Sequence, residues 1–97
     1  MALKLRWTRE AVQQLDAIID YLETNWSEKE IRKFFQKLEE GIKTISEQPE
    51  LHKLSARKKG AREYQLARQT TIFYDFDEAH VTVLLVWSNR KDSEKLK

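Results

Sequence analysis

The sequence predicts an α+β domain of order β-α-α-β-β-β, with a helical hairpin packed on a small antiparallel sheet. Three observations carry this. Two successive stretches before Pro49 repeat apolar residues at spacings of three and four, the mark of helices with one buried face. A short alternating segment, Leu3-Lys4-Leu5-Arg6-Trp7, precedes them. After Gly60, the stretch Ala61–Asp92 holds three strand-like runs joined by connections too short for a parallel return, which needs about a dozen residues.

The elements follow in order. Leu3, Leu5 and Trp7 share one strand face, so the first strand buries one side. Thr8 can cap the first helix, whose stripe is Ala11, Val12, Leu15, Ile18, Ile19 and Leu22. Asn25-Trp26-Ser27 breaks that pattern, and Ser27 with Glu30 forms a capping box that starts a second helix. Its stripe is Ile31, Phe34, Phe35, Leu38, Ile42 and Ile45, and it ends before Pro49. Gly41 inside this helix costs up to about 1 kcal/mol relative to alanine. Close approach of the first helix, or a tolerated weak point, accounts for it equally well.

From Glu50 to Lys59 no period survives, so a basic loop is expected, closed by Gly60. Arg62, Tyr64 and Leu66 then alternate with Ala61, Glu63 and Gln65; Thr70, Ile72, Tyr74 and Phe76 alternate with Thr71, Phe73 and Asp75. A turn at Asp77-Glu78-Ala79-His80 leads into Val81–Trp87. Strict alternation puts Val81, Val83, Leu85 and Trp87 on one face and Leu84 and Val86 on the other, as in a central strand. The expected core contains Leu15, Ile19, Leu22, Phe35, Leu38, Ile72, Val83 and Leu85. The tail, residues 88–97, is polar apart from Leu96 and is expected to fray.

Composition limits the function classes. With 97 residues the chain is one domain, residues 1–97, able to bury roughly 60–65% of its unfolded surface. A hydrophobic share of 40% is enough to fold despite 35% charged residues. There is no cysteine, hence no disulfide framework or thiolate metal site. No apolar run approaches 18 residues and no signal-peptide core is evident, so a cytoplasmic location is expected and no membrane partner. The net charge of +2 is unevenly spread: residues 53–97 carry ten Lys/Arg against six Asp/Glu, whereas residues 1–52 carry eight against ten. Lys53, Arg57, Lys58, Lys59, Arg62 and Arg68 cluster against Glu63 alone, a patch that steers phosphate or an acidic protein surface toward itself, or else a solvated loop.

Candidate chemistry is correspondingly narrow. The histidines, His52 and His80, have no ligand spacing, so neither a metal site nor another cofactor is expected. Two glycines cannot build a phosphate cradle. Asp75, Asp77 and Glu78 suit a solvated hairpin turn. Tyr64, Phe73 and Tyr74 could stack on bases, but alternating strand aromatics are more often core. Guanidinium groups bind phosphate or carboxylate in two-pronged fashion, which makes Arg62, Arg68 and Arg90 candidates, with Arg62 and Arg90 sharing a rim if the sheet brings them together.

The segments W-T-R-E-A-V-Q-Q-L-D-A-I-I-D-Y-L, T-I-S-E-Q-P, G-A-R-E-Y before I-F-Y, and V-T-V-L-L-V-W-S-N-R-K-D resemble the RelE/ParE superfamily of bacterial type II toxin–antitoxin (plasmid stabilisation) toxins. The resemblance spans nearly the whole chain. It implies growth inhibition, and a cognate antitoxin that wraps and neutralises the domain. An apolar groove beside the wide first-helix stripe is the expected seat of such a partner.

The superfamily divides by target. One branch cuts messenger RNA in the ribosomal A site; the other inhibits DNA gyrase by binding it. The RelE branch often places a catalytic tyrosine or histidine near its C-terminus, and Ser88–Lys97 contains neither. S-N-R-K-D matches the H-x-R-x-D ending frequent in the ParE branch at Arg90 and Asp92, with Ser88 in place of the histidine. A ParE-like inhibitor that acts by binding, and is not an enzyme, is therefore the first expectation. Its candidate target-binding residues are Lys58, Lys59, Arg62, Arg68, Arg90 and Lys91. The alternative is a RelE-like, metal-independent endoribonuclease in which Arg62 and Arg90 hold charge and Lys58, Lys59 or Tyr64 moves the proton. A third is a basic nucleic-acid-binding module without toxicity.

Overall fold

The computed structural model describes residues 2–88. The elements are β1 (Lys4–Trp7), α1 (Arg9–Asn25), α2 (Glu28–Glu47), a 3₁₀ turn (Pro49–Leu51), β2 (Arg62–Ala67), β3 (Thr70–Phe76) and β4 (His80–Ser88), in the predicted order. The helical hairpin covers one face of a four-stranded sheet of order β1-β4-β3-β2. Strands β2, β3 and β4 pair antiparallel, as their short connections require. β1 joins in parallel to β4, with Lys4 opposite His80 and Trp7 opposite Val83. The connection from β1 back to the sheet runs through both helices, and such a crossover permits the parallel pairing. β4 is interior, as its two apolar faces predict.

Both predicted N-cap bonds form, although among the described residues the Glu30 carboxylate makes no return bond to the Ser27 amide, so the capping box is half made. The Thr8 hydroxyl accepts from the Ala11 amide at 3.1 Å and donates to the Leu84 carbonyl at 2.8 Å, so one side chain starts α1 and ties it to β4. The Ser27 hydroxyl accepts from the Glu30 amide at 3.3 Å. Gln14 adds a second tie, its Oε1 accepting from the Val86 amide at 2.7 Å.

The core collects Ala11, Leu22, Phe34, Leu38, Ile45, Leu66, Ile72, Tyr74, Val81, Val83 and Val86, with Leu15 and Ile19 half-buried against it. Two members of the predicted core lie elsewhere. Phe35 is 41% exposed and Phe34 takes the buried position. Ile31, Phe34, Leu38 and Ile45 complete the inward stripe, and one residue further along a helix turns about 100° away from it. Leu85 sits on the opposite sheet face from Val83. Phe73 pairs with Leu85 and Tyr74 with Val83, which leaves Leu84 as an extra residue in a β-bulge. Beyond the bulge the alternation inverts: Val81, Val83 and Val86 face the helices, while Leu85 faces away with Phe73.

Gly41 is buried against the sheet and not against the first helix. A β-carbon there would stand 2.7 Å from Tyr64 Cε2 and 3.0 Å from Leu66 Cδ1. Among the described residues no helix is long and apolar enough to cross a membrane.

Candidate functional site

The basic loop is folded back along the outer edge of β2 and over the sheet face that the helices leave open. Its backbone pairs with the strand: the Glu63 amide donates to Lys53 O at 3.0 Å, the Ser55 amide to Ala61 O at 2.7 Å, and Leu54 bridges Arg62. Gly60 turns the chain with φ of 83°, where a side chain would be strained. Ser55 organises the loop. Its hydroxyl accepts from the amides of Arg57 and Lys58, each at 3.0 Å, and donates to Glu63 Oε2 at 2.6 Å. Arg57 Nη2 lies 3.3 Å from Glu63 Oε1, and its guanidinium carbon stands 5.0 Å from the centre of the Phe73 ring. The Ser55 hydrogen bond first, and the Arg57 bond second, hold the Glu63 carboxyl below its usual range.

This lid explains why Phe73, on the face away from the helices, is only 3% exposed. Beside it a hollow of about 300 Å³ is lined by Arg57, Lys58, Phe73, Leu85 and Trp87. Two cations beside an apolar floor can hold an anionic group there. Of the five side chains, Lys58 alone can exchange a proton under ordinary conditions.

The structure separates the other candidates. Lys59 is exposed, next along the loop. Arg62 lies on the helix-facing side, where its Nη1 donates to His52 O at 2.6 Å and Glu50 O at 3.2 Å and its guanidinium stacks 5.6 Å from the Phe76 ring centre. It fastens the 3₁₀ turn to the sheet. Tyr64 packs under Gly41, with the His52 ring edge-on at 4.9 Å between centroids. The Tyr74 hydroxyl donates to Pro49 O at 2.6 Å, and burial pushes it up to about 12. Tyr64, Phe73 and Tyr74 are thus packing residues, as their alternation implies. His52 Nε2 is buried with no hydrogen-bond partner among the described residues, and burial, then the Arg62 charge, lower its pKa.

Arg68 occupies the β2–β3 turn, six residues and so roughly 20 Å along the strand from Arg62. Arg90 and Lys91 lie outside the described residues. Ser88, which leads to them, pairs with Thr70, at the Arg68 end of the sheet and away from Arg62. At that end a groove of about 750 Å³ opens between the two helices and the strand ends, with Ile18, Leu22, Phe34 and Val86 in its floor and Lys33 and Arg68 among its charged lining. At the β3–β4 turn, Asp77 Oδ1 accepts from the amides of Ala79 and His80 at 2.8 and 2.7 Å; these bonds, Ala79's first, lower its pKa. Ser55, Glu63 and the Arg57 pairing were not anticipated as site features. The available signal was Glu63 standing as the one acid among six basic residues.

A helical hairpin packed on a small antiparallel sheet matches the architecture of the RelE/ParE toxins. The sequence matches the model of the ParE toxin of type II toxin–antitoxin systems, parDE, over residues 5–93. The chain belongs to that family, which makes it a toxin-type protein of a toxin–antitoxin system with a cognate antitoxin as partner. Solved structures agree on the fold. The chromosomal ParDE system from P. aeruginosa contains a chain 21% identical, with a TM-score of 0.74 over 90% of this chain and 96% of that one. A YoeB dimer from Staphylococcus aureus is 18% identical, with a TM-score of 0.62 over 90% and 97%. The DinJ–YafQ toxin–antitoxin complex of E. coli is 8% identical, with a TM-score of 0.63 over 94% and 97%. No curated protein sequence matches the chain.

Proposed function

We propose that this toxin works by binding its target, DNA gyrase, and not by cutting RNA. The observation that carries the reading is the chemistry of the lidded hollow. RNA cleavage without a metal needs one group to take the 2′-hydroxyl proton and another to protonate the leaving oxygen. Around the hollow Lys58 stands as the one exchangeable proton source among residues that hold charge or supply apolar contact. Of the groups that could otherwise share the work, Tyr74 is fully buried and bonded to Pro49 O, while the half-buried Tyr64 and His52 pack edge-on against each other outside the lining of the hollow. Glu63 is occupied by Ser55 and Arg57. The remaining surface suits the recognition of an anionic partner.

The family match supports the binding branch as well. The test is expression of the wild type with mapping of message ends on translating ribosomes, alongside a supercoiling assay with purified gyrase and toxin. Blocked supercoiling with intact messages is expected. Codon-phased cuts in the A site with unaffected supercoiling would establish the ribonuclease instead, with Lys58 as its proton-transfer group.

A further inference from the structure

Arg57 and Lys58 reach the hollow from residues 55–60, which form neither helix nor strand. One side chain of β2 holds that stretch in place. Glu63 pairs with Phe73 and Phe73 with Leu85, so the carboxylate begins the outer-face row that continues as the floor of the hollow. The Glu63 backbone is fixed on both edges, by β3 and by the bond from its amide to Lys53 O. From that base Oε2 accepts from the Ser55 hydroxyl at 2.6 Å and Oε1 accepts from Arg57 at 3.3 Å. With its proton directed to Glu63, the Ser55 oxygen offers its lone pairs to the Arg57 and Lys58 amides, each at 3.0 Å. The Lys58 carbonyl in turn accepts from the Ala61 amide at 3.2 Å. A chain of bonds thus runs from a strand residue to the backbone of both cations. The Lys58 ammonium itself makes no salt bridge among the described residues.

Charge alone would give Glu63 the opposite role. A carboxylate beside Arg57 and Lys58 opposes the attraction of the hollow for an anionic group, so on that ground removing it should strengthen binding. On positioning grounds removing it should weaken binding, because a loosened loop has to be ordered again when it docks. The geometry favours the second. Both carboxylate oxygens are engaged by donors of the loop, and the side chain is 12% exposed, so little of its charge faces outward.

We infer that Glu63, acting through Ser55, is the positioning residue that holds Arg57 and Lys58 at the hollow in the arrangement that engages the anionic group of the target. This rests on the target-binding reading above and adds what keeps its cations in place.

The experiment uses the full chain, purified gyrase as the probe, and the variants Ser55→Ala, Glu63→Gln, Lys58→Ala and Ser55→Ala/Lys58→Ala. Ser55→Ala changes no charge, and Glu63→Gln keeps the shape but has one acceptor oxygen for two donors. Each of these two should raise the toxin concentration that half-blocks supercoiling about tenfold. The double variant should fall short of the product of its single effects by at least about threefold, since the Ser55 bond acts through Lys58. Full-strength inhibition by Ser55→Ala, stronger inhibition by Glu63→Gln, or a double variant equal to the product overturns the proposal. Trypsin gives a readout that involves no target. At a temperature where every variant is folded, cleavage after Arg57, Lys58 and Lys59 should quicken about fivefold or more in Ser55→Ala and Glu63→Gln, while cuts in the helices keep their wild-type rate. Unchanged cleavage in the loop overturns the positioning role, and so does a quickening shared by the helices, which would assign Glu63 to the stability of the whole domain. A wild type that leaves supercoiling untouched refutes the gyrase reading instead. Growth arrest then decides the positioning role: arrest by Ser55→Ala as strong as wild type overturns it, and weakened arrest with helix cuts unchanged sustains it.

Discussion

Replacing Gly41 by alanine sets two known effects against each other, and the structure says which should win. In an exposed helix interior the change would stabilise by up to about 1 kcal/mol, through helix propensity and a less flexible unfolded chain. Here the new methyl would stand 2.7 Å from Tyr64 Cε2 and 3.4 Å from Cδ2, against a comfortable carbon–carbon separation of about 3.5–4.0 Å. The ring would have to recede by about 1 Å. His52 stands edge-on to it at 4.9 Å between centroids, and Leu66 Cδ1 presses on the same methyl at 3.0 Å, so there is little room to yield. Overpacking of this kind costs about 1–3 kcal/mol, leaving a net loss of about 1 kcal/mol. For a domain near 100 residues that lowers Tm by roughly 4–8 °C.

Thermal and urea unfolding of Gly41→Ala, Tyr64→Ala and the double variant isolate the cause. With the ring gone, Gly41→Ala should change sign and stabilise, giving a coupling near 2 kcal/mol. A higher Tm for Gly41→Ala in the wild-type background, or additivity of the two changes within about 0.5 kcal/mol, would refute the close-approach explanation.

Other outcomes follow from the groups around the 3₁₀ turn. Because burial first and Arg62 second lower the His52 pKa, the unfolded chain binds a proton there sooner than the folded one. Stability should fall as pH drops below about 6.5 toward the lowered value, and urea titrations of His52→Gln should lack that component. Tyr74, pushed up to about 12, acts at the other extreme: the unfolded tyrosine ionises first, so stability should decline as pH rises from about 10 through 12. Tyr74→Phe should remove that decline in alkaline melts, while costing about 1 kcal/mol at neutral pH through the lost bond to Pro49 O. Arg62→Ala should cost about 1.5–3 kcal/mol of stability in urea melts, since two carbonyls lose a charged donor. Lys58→Ala should leave Tm alone and weaken supercoiling inhibition by roughly one to two orders of magnitude; equal effects of both changes on Tm would show that they have the same role.

The element order and the helix starts were legible because periods and caps are local: Thr8 and Ser27 announce the helices in their own neighbourhood. The parallel pairing of β1 was not, since its partner is chosen by how the whole hairpin crosses the sheet. Phe34 and Phe35 both fall within the width of one apolar stripe, and only the packed sheet distinguishes them. The bulge at Leu84 carries no glycine to mark it, so strict alternation put Leu85 on the wrong face. The site was legible as charge and not as geometry. A loop without a period gives no clue that Arg62 turns inward to the Glu50 and His52 carbonyls while Arg57 lies over Phe73. That choice depends on Pro49–His52, whose path is set by α2 and Tyr74.

The interior position of β4 governs when the molecule can become complete. Thr8 finds Leu84 across 76 residues, and Lys4 finds His80 across as many. During synthesis the first strand and the helical hairpin leave the ribosome before any strand they are to cover, with the α2 stripe turned toward a sheet that does not yet exist. Until Val81–Ser88 emerges, the first strand has no neighbour and the hollow beside Lys58 has no Leu85 or Trp87 in its wall. The nascent chain therefore carries an uncovered apolar stripe for most of its translation, and the fold closes only with its last strand.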